Sequence, residues 1–274
     1  MLIDTPITTK QQDDLDPLLK TAIQAAEMGG EVCRSYFNRE FALDHKAACN
    51  LVTAADIESE QVIIDALLKA FPDHAILAEE TRQDSLQSPD LWIVDPLDGT
   101  NNFAHGIPHF SVSIAYWRQG RPECGVIYNP ITGELYHAKR GQGAFLGERQ
   151  LHVSQAAQLN EALVGCGFYY DRGKMMQATL QAIEACFFEN VHGIRRFGTA
   201  SLDLIQVASG RYGGFFEYQL APWDFAAGRL FVEEAGGRIT TCAGNELKLD
   251  QSTVLATNGQ LHSQLAGIVQ KFHP

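Results

Sequence analysis

Basic residues are scarce in this chain of 274 residues: 21 Lys and Arg stand against 33 Asp and Glu, for a net charge of −12. That balance argues against non-specific binding to nucleic-acid phosphates, which demands a basic face. It suits a solvated acidic surface or a site that gathers carboxylates around cations. Cysteine is present only as six scattered residues, Cys33, Cys49, Cys124, Cys166, Cys186 and Cys242, with no C-x-x-C pair and no zinc-like grouping. Reduced, mostly buried thiols are expected, as in a cytoplasmic protein. No apolar run approaches the ~18 residues of a membrane span. The first ten residues lack both a basic segment and an apolar core, so no signal peptide is expected. Internal repeats and low-complexity tracts are also missing.

What remains is the composition of a globular protein with a sizeable core, 45% hydrophobic and 20% charged. Leu15, Leu18, Leu19, Ala22, Ala26, Gly29 and Cys33 recur at helical spacing and predict a long helix ending near Asn38. Thr53-Ala54-Ala55-Asp56 resembles a capping box and opens a second helix, stopped at Phe71-Pro72-Asp73. Short buried strands are expected over 75–78 and 91–94, and a half-buried strand over 110–117, where Ser111 and Ser113 alternate with apolar residues. A meander of strands follows. The polar stretch 151–160 marks the expected boundary between two domains, 1–154 and 155–274. Beyond it strands and helices alternate, with helices over 174–187, 199–209, 222–235 and 260–272. The fold class expected is α+β with an α/β-like C-terminal half.

The chemistry concentrates in Trp92-Ile93-Val94-Asp95-Pro96-Leu97-Asp98-Gly99-Thr100. An apolar strand delivers Asp95 to its end, Pro96 interrupts ordinary pairing, and Asp98 follows at a glycine turn, so two carboxylates can converge. Carboxylates are hard oxygen ligands suited to Mg²⁺, and the Leu97 carbonyl is a further donor. A short helix opening at Gly99 and Thr100 would add free backbone amides for an anion. Glu79-Glu80 closes the preceding strand, and its adjacent side chains point to opposite sides. Asp224 sits in the first turn of a helix that begins Pro222-Trp223, a position where dipole stabilisation alone would also favour it.

These residues resemble the signatures of the inositol monophosphatase family of lithium-sensitive, magnesium-dependent phosphatases. One signature is Trp92 onward through Phe103, W-I-V-D-P-L-D-G-T-N-N-F; the other is Trp223 onward through Gly237, W-D-F-A-A-G-R-L-F-V-E-E-A-G-G. Leu51-Val52-Thr53 ahead of Asp56, the Glu79-Glu80 pair, His192-Gly193-Ile194-Arg195 and Gly198-Thr199-Ala200 match as well. The similarity runs from about Lys46 to the last helix. One departure is Ala78, where the family commonly has Gly before the glutamate pair; it removes no ligand.

The resemblance implies a layered αβαβα sandwich, a homodimer and two to three Mg²⁺ ions. Glu79, Asp95 and the Leu97 carbonyl would hold the first ion, Asp95, Asp98 and Asp224 the second, and Glu79 a weaker third. Glu80 would orient a water on the metal, while Asp56 and Thr100 would hold the attacking water. Phosphate would meet the Gly99 and Thr100 amides. The substrate's hydroxyls would meet Asp98, Gly198-Thr199-Ala200, Glu217 and Asp224, with Lys46 attracting the anion. The activity implied is hydrolysis of inositol monophosphate or a similar small sugar phosphate. Sister activities on fructose 1,6-bisphosphate, histidinol phosphate or 3′-phosphoadenosine 5′-phosphate are the alternatives. A regulatory binding protein retaining the fold is the rival from another class. Neither a direct nucleic-acid partner nor a membrane partner is expected.

Overall fold

A computed structural model of the chain describes residues 16–37, 43–47, 50–168 and 172–274, with the backbone alone for 43–47 and 50–53. The first ten residues and Cys49 lie outside this set, as does the side chain of Lys46. The other five cysteines are free and buried.

Asp16 caps the first helix by accepting the Leu18 amide (3.0 Å), and Pro17 starts it where no N–H is needed. This helix, α1 (Pro17–Tyr36), precedes a two-stranded ribbon, β1 (Leu43–Ala47) and β2 (Asn50–Thr53), and then α2 (Ala54–Ala70). β3 (Ala75–Ala78), β4 (Asp90–Asp98), β5 (Ser111–Arg118), β6 (Arg121–Asn129), β7 (Glu134–Lys139), β8 (Gly143–Leu146) and β9 (Arg149–Gln150) form one sheet in chain order. Only β3 and β4 are parallel in it. The short helix α3 (Thr100–Ala104) bridges β4 and β5.

The second sheet has the order β11-β10-β12-β14-β13, built from β10 (Leu163–Cys166), β11 (Gly193–Arg195), β12 (Gly214–Leu220), β13 (Arg238–Thr240) and β14 (Ser252–Thr257). Its helices are α4 (Lys174–Phe188), α5 (Ala200–Ala208), α6 (Pro222–Glu234) and α7 (His262–Lys271).

Strand alternation then dictates five layers. On β4, Trp92 and Val94 face α1 and α2, packing with Ile23, Ile63 and Leu67. Leu91 and Ile93 face the other way, onto Leu202 and Ile205 of α5 and Leu230 and Phe231 of α6. The far sides of those two helices, through Leu204, Val207, Phe225 and Val232, meet Phe215 of β12 and Val254 and Ala256 of β14. Phe216 and Leu255, on the opposite face, pack against Ala178 and Ala182 of α4 and Leu265 and Val269 of α7. The result is the αβαβα sandwich that the family resemblance implies.

Two expectations need correction. The strand expected to be half-buried is buried on both faces over Ser111–Tyr116 and Trp117, because α5 and α6 cover the side that would otherwise meet water. Ser111 and Ser113 are buried polar residues, not solvent-facing ones. The strand at 91–94 is also longer than expected, continuing past Pro96 to Asp98 with a slip in register.

Candidate active site

Two parallel strand ends begin the site. Ala78 of β3 lies opposite Val94 of β4, so the residues that follow, Glu79 and Asp95, emerge side by side. The Glu79 amide donates to the Val94 carbonyl (3.2 Å), extending the ladder by one rung.

Asp98 follows Asp95 by three positions, an odd offset that would put the two side chains on opposite faces of a regular strand. Against β5, however, Asp95 pairs with Ser113 and Asp98 with Ser111, so β4 holds one extra residue. Pro96 has no N–H for the ladder, which favours a bulge at this point. The bulge returns Asp98 to the side of Asp95. Oxygens of Asp95, Asp98 and Asp224, the last from the first turn of α6, lie within 4.8 Å of one another.

Each carboxylate is held by backbone or by the other half of the chain. Asp95 accepts the Leu97 amide (3.0 Å), and Asp224 accepts the Ala221 amide (2.7 Å). Asp98 reaches the start of α5, where one oxygen accepts the amide (2.7 Å) and the hydroxyl of Ser201. Its other oxygen takes only a long contact from the Ala200 amide (3.3 Å). The Thr100 hydroxyl donates to the Leu97 carbonyl (3.1 Å), so in this arrangement its single proton points there. Gly99, at φ 99°, makes the turn into α3; a Cβ there would stand 2.5 Å from Thr199 Oγ1.

These groups line a cleft of ≈ 330 Å³. Glu79, Asp95, Leu97, Asp98, Gly99 and Thr100 form one wall, with Asp224 beside them. Gly198, Thr199, Ala200 and Glu217 line the cleft too, with Thr199 next to the Gly99 turn and Ala200 next to Asp98. The Glu217 carboxylate occupies the space where a Cβ on Gly167 would be, at 1.8 Å, so only glycine leaves it room. Asp56 and Glu80 do not line the cleft but lie close enough to Glu79 to raise its pKa. Lys46 is placed on β1 by its backbone only. Four residues come to light only in three dimensions. Ser201 binds Asp98; Arg196, Asp203 and Gln219 line the cleft. Asp203 is recognisable in hindsight as an acid inside the apolar run Leu202, Leu204 and Ile205.

Burial is the largest force on the protonation of these groups, and mutual repulsion adds to it. It pushes Glu79 well above the usual carboxylate range, helped by Asp224, Glu80, Asp56 and Asp98. Asp95 is likewise held well up, with Glu79, Asp98 and Asp224 as its neighbours. Asp224 rises to about 7 through burial and the charge of Asp98. Asp98 rises only to about 6, because the Ser201 donors oppose its burial. Glu217 and Asp203 are raised by burial too, with Arg196 pulling both down. Such a cluster can share protons or be neutralised by a cation. Converging, buried, hard oxygen donors suit a divalent ion of the Mg²⁺ or Ca²⁺ kind, and the residues present therefore fit a metal.

Comparison with known proteins agrees. The model of the inositol monophosphatase family matches residues 14–273. The inositol-1-monophosphatase of Synechocystis sp. is 40% identical over 256 residues, covering 92% of this chain and 88% of that protein. The Nus factor SuhB of Pseudomonas aeruginosa is also 40% identical, over 267 residues, covering 95% and 98%. Among solved structures, the Thermotoga maritima IMPase superposes with a TM-score of 0.85 at 32% identity, covering 93% of this chain and 97% of its own.

Proposed function

This chain belongs to the inositol monophosphatase family, and from that premise we propose that it is a Mg²⁺-dependent phosphomonoesterase acting on inositol monophosphate or a similarly small sugar phosphate. The observation that carries the reading is the convergence of Asp95, Asp98 and Asp224 oxygens within 4.8 Å inside a cleft. Glu79, Asp95 and the Leu97 carbonyl would hold one ion, Asp95, Asp98 and Asp224 a second, and Glu79 a third. Bound Mg²⁺ supplies acidity to water near neutral pH and charge neutralisation on the phosphate oxygens.

The chain's own groups do the rest. The Gly99 and Thr100 amides would donate to phosphate oxygens, and Asp56 with the Thr100 hydroxyl would hold the attacking water, Asp56 from behind the cleft lining and the Thr100 oxygen as an acceptor. Glu80 orients water from beyond the cleft wall. Ser201 occupies one oxygen of Asp98, leaving the other for a cation and a substrate hydroxyl to share. Glu217, Gly198, Thr199 and Ala200 face the side where the substrate's hydroxyls would lie. Lys46 would draw the anion inward.

Among the described lining residues Arg196 is the single basic side chain, set against Glu217 and Asp203. A second phosphate on that side would meet two carboxylates, which favours monophosphates over fructose 1,6-bisphosphate or 3′-phosphoadenosine 5′-phosphate. Histidinol phosphate remains an alternative by charge. Lithium sensitivity, a homodimer and a cytoplasmic location belong to the same proposal. Among the described residues no helix is long and apolar enough to cross a membrane.

A second reading is supported by the relatives themselves. The protein named Nus factor SuhB is as similar to this chain as the inositol-1-monophosphatase, so a regulatory binding role on the same fold is the rival. The net charge of −12 supports a protein partner over direct nucleic-acid contact. Phosphate release from inositol 1-phosphate, fructose 1,6-bisphosphate, histidinol phosphate and 3′-phosphoadenosine 5′-phosphate, with and without Mg²⁺, separates the readings. Mg²⁺-dependent turnover fastest on inositol 1-phosphate supports the proposal. No turnover of any of the four by folded, Mg²⁺-bound protein favours the binding role.

A further inference from the structure

Helix α2 turns two acids, Asp56 and Glu60, onto its buried face, one helical turn apart and 1% and 0% exposed. Glu60 is not a metal candidate by position, and among the described residues no basic side chain forms an ion pair with it. Its partners are the backbone at the end of β3. One oxygen accepts the Glu80 amide (2.7 Å), and the other accepts the Thr81 amide (2.7 Å) and the Thr81 hydroxyl (2.5 Å). A carboxylate buried without a counter-ion is costly unless its acceptors are filled, and here they are filled by two consecutive peptides and a side chain.

Those peptides belong to the turn that aims the glutamate pair. On one side, the Glu79 amide is bound to Val94 of β4; on the other, Glu60 holds the peptides of Glu80 and Thr81. The Ala78 amide closes the turn on the Arg82 carbonyl (2.7 Å). Between these fixed points the Glu79 backbone is held at the strand end beside Asp95, where its side chain feels the charge of Asp224. The same clamp joins α2, which carries Asp56, to the strand end that carries Glu79 and Glu80.

We propose that Glu60 is a positioning residue for the cation site, fixing the Glu79-Glu80 turn through its three donors; the inference rests on the metal-dependent reading above. The carboxylate is specifically required. Glutamine has the same shape, but its NH₂ would confront an N–H of Glu80 or Thr81, turning one bond into a donor–donor contact. Groups that orient metal ligands in this way typically change metal affinity or activity about 10- to 100-fold when altered.

The test is Mg²⁺ binding to the full chain by calorimetry without substrate, in wild type, Glu60→Gln and Thr81→Val, with steady-state kinetics and hydrogen exchange alongside. In Glu60→Gln, Mg²⁺ affinity is expected to fall about 10- to 100-fold, and the Mg²⁺ needed for half-maximal turnover to rise by the same factor. KM for the ester at saturating Mg²⁺ should stay within about twofold, because Glu60 touches no substrate. Exchange should quicken locally at the Glu80 and Thr81 amides. Thr81→Val, which deletes one of the three donors, should weaken Mg²⁺ binding by about two- to fivefold. Wild-type Mg²⁺ affinity in a folded Glu60→Gln protein overturns the proposal, even if its melting temperature drops. If Glu60→Gln does not fold, unchanged affinity in Thr81→Val overturns it instead. A wild-type chain that binds no Mg²⁺ sinks the metal-dependent reading itself, a different and distinguishable failure.

Discussion

Ser201 donates its amide (2.7 Å) and its hydroxyl to the same oxygen of Asp98, across a sequence separation of 103 residues. A helix start from the C-terminal half thereby holds a carboxylate from the N-terminal half, and the Ser201 hydroxyl also meets Ser111 (2.8 Å) beneath it. The two donors are also why burial raises Asp98 less than its neighbours.

Replacing Ser201 by alanine removes the hydroxyl and keeps the amide. The lost bond to a buried charge is worth about 1.5–3 kcal/mol, and Ser111 loses its partner at the same time. The Asp98 pKa should rise further, and Mg²⁺ should compete less well with protons. A Mg²⁺ titration of turnover at pH 6.5 and 8 checks this: the variant should require more Mg²⁺ than wild type, with the larger difference at pH 6.5. Equal requirements at both pH values would contradict the role given to Ser201.

Asp95→Asn should separate stability from function. Asp95 is buried beside Glu79, Asp98 and Asp224, so its charge opposes folding when no cation is bound. The variant is expected to lose turnover by more than about 100-fold, as the loss of a direct metal ligand should exceed the effect of altering a supporting one. In EDTA it should melt at a temperature equal to or above that of wild type, and added Mg²⁺ should raise that temperature little. Thermal unfolding with and without Mg²⁺ gives the answer; a variant less stable than wild type in EDTA would mean that the buried charge of Asp95 does not limit the metal-free fold.

The pH dependence of stability follows from the same carboxylates. Asp98 and Asp224 titrate near 6 and 7 in the fold, above their ordinary value of 3.8. Between that value and the folded ones, the folded protein binds more protons than the unfolded chain. Their contribution to stability therefore falls as pH rises through about 4 to 7. His262 acts in the opposite sense. Its buried ring lies against Thr240 (3.1 Å) and Thr257 (3.0 Å), and burial holds its pKa down to about 4. Stability from His262 is present above pH ~6.5 and is lost as pH falls toward 4. Mg²⁺ binding releases the carboxylate protons and leaves His262 alone. The gain in melting temperature on adding Mg²⁺ should therefore grow from pH 5 to pH 8, and a gain independent of pH would refute the assignment.

Leu230 on α6 is fully buried between the first sheet and α5, on the helix that presents Asp224. Leu230→Ala should cost about 2–5 kcal/mol through lost burial and the cavity left behind. Urea unfolding monitors it directly. Turnover at 25 °C should change far less than stability, since the first turn of α6 is anchored independently by the Asp224 bond to Ala221.

Periodicity and local chemistry alone determined much of this protein. The helical spacing of Leu19, Ala22, Ala26 and Cys33, the apolar run ahead of Asp95, and the Pro222 start of α6 each depend on neighbours within a few residues, and all were legible in the chain. The carboxylates were legible too, because Glu79-Glu80, Asp95, Asp98 and Asp224 stand at element ends in specific motifs. Tertiary structure decided what those residues meet. Ser111 and Ser113 signalled a solvent-facing side, but α5, whose Ser201 lies 90 residues after Ser111, and α6 beyond it cover that side. The bulge at Pro96 appears only when β5 supplies the ladder that β4 must slip against, and that slip puts Asp95 and Asp98 on one side. Ser201 and Glu60 look like ordinary helix residues until folding brings one to Asp98 and the other to the peptides after Glu79. Local sequence can place a carboxylate at the end of a strand, but its orientation and charge state depend on donors and burial contributed by distant segments.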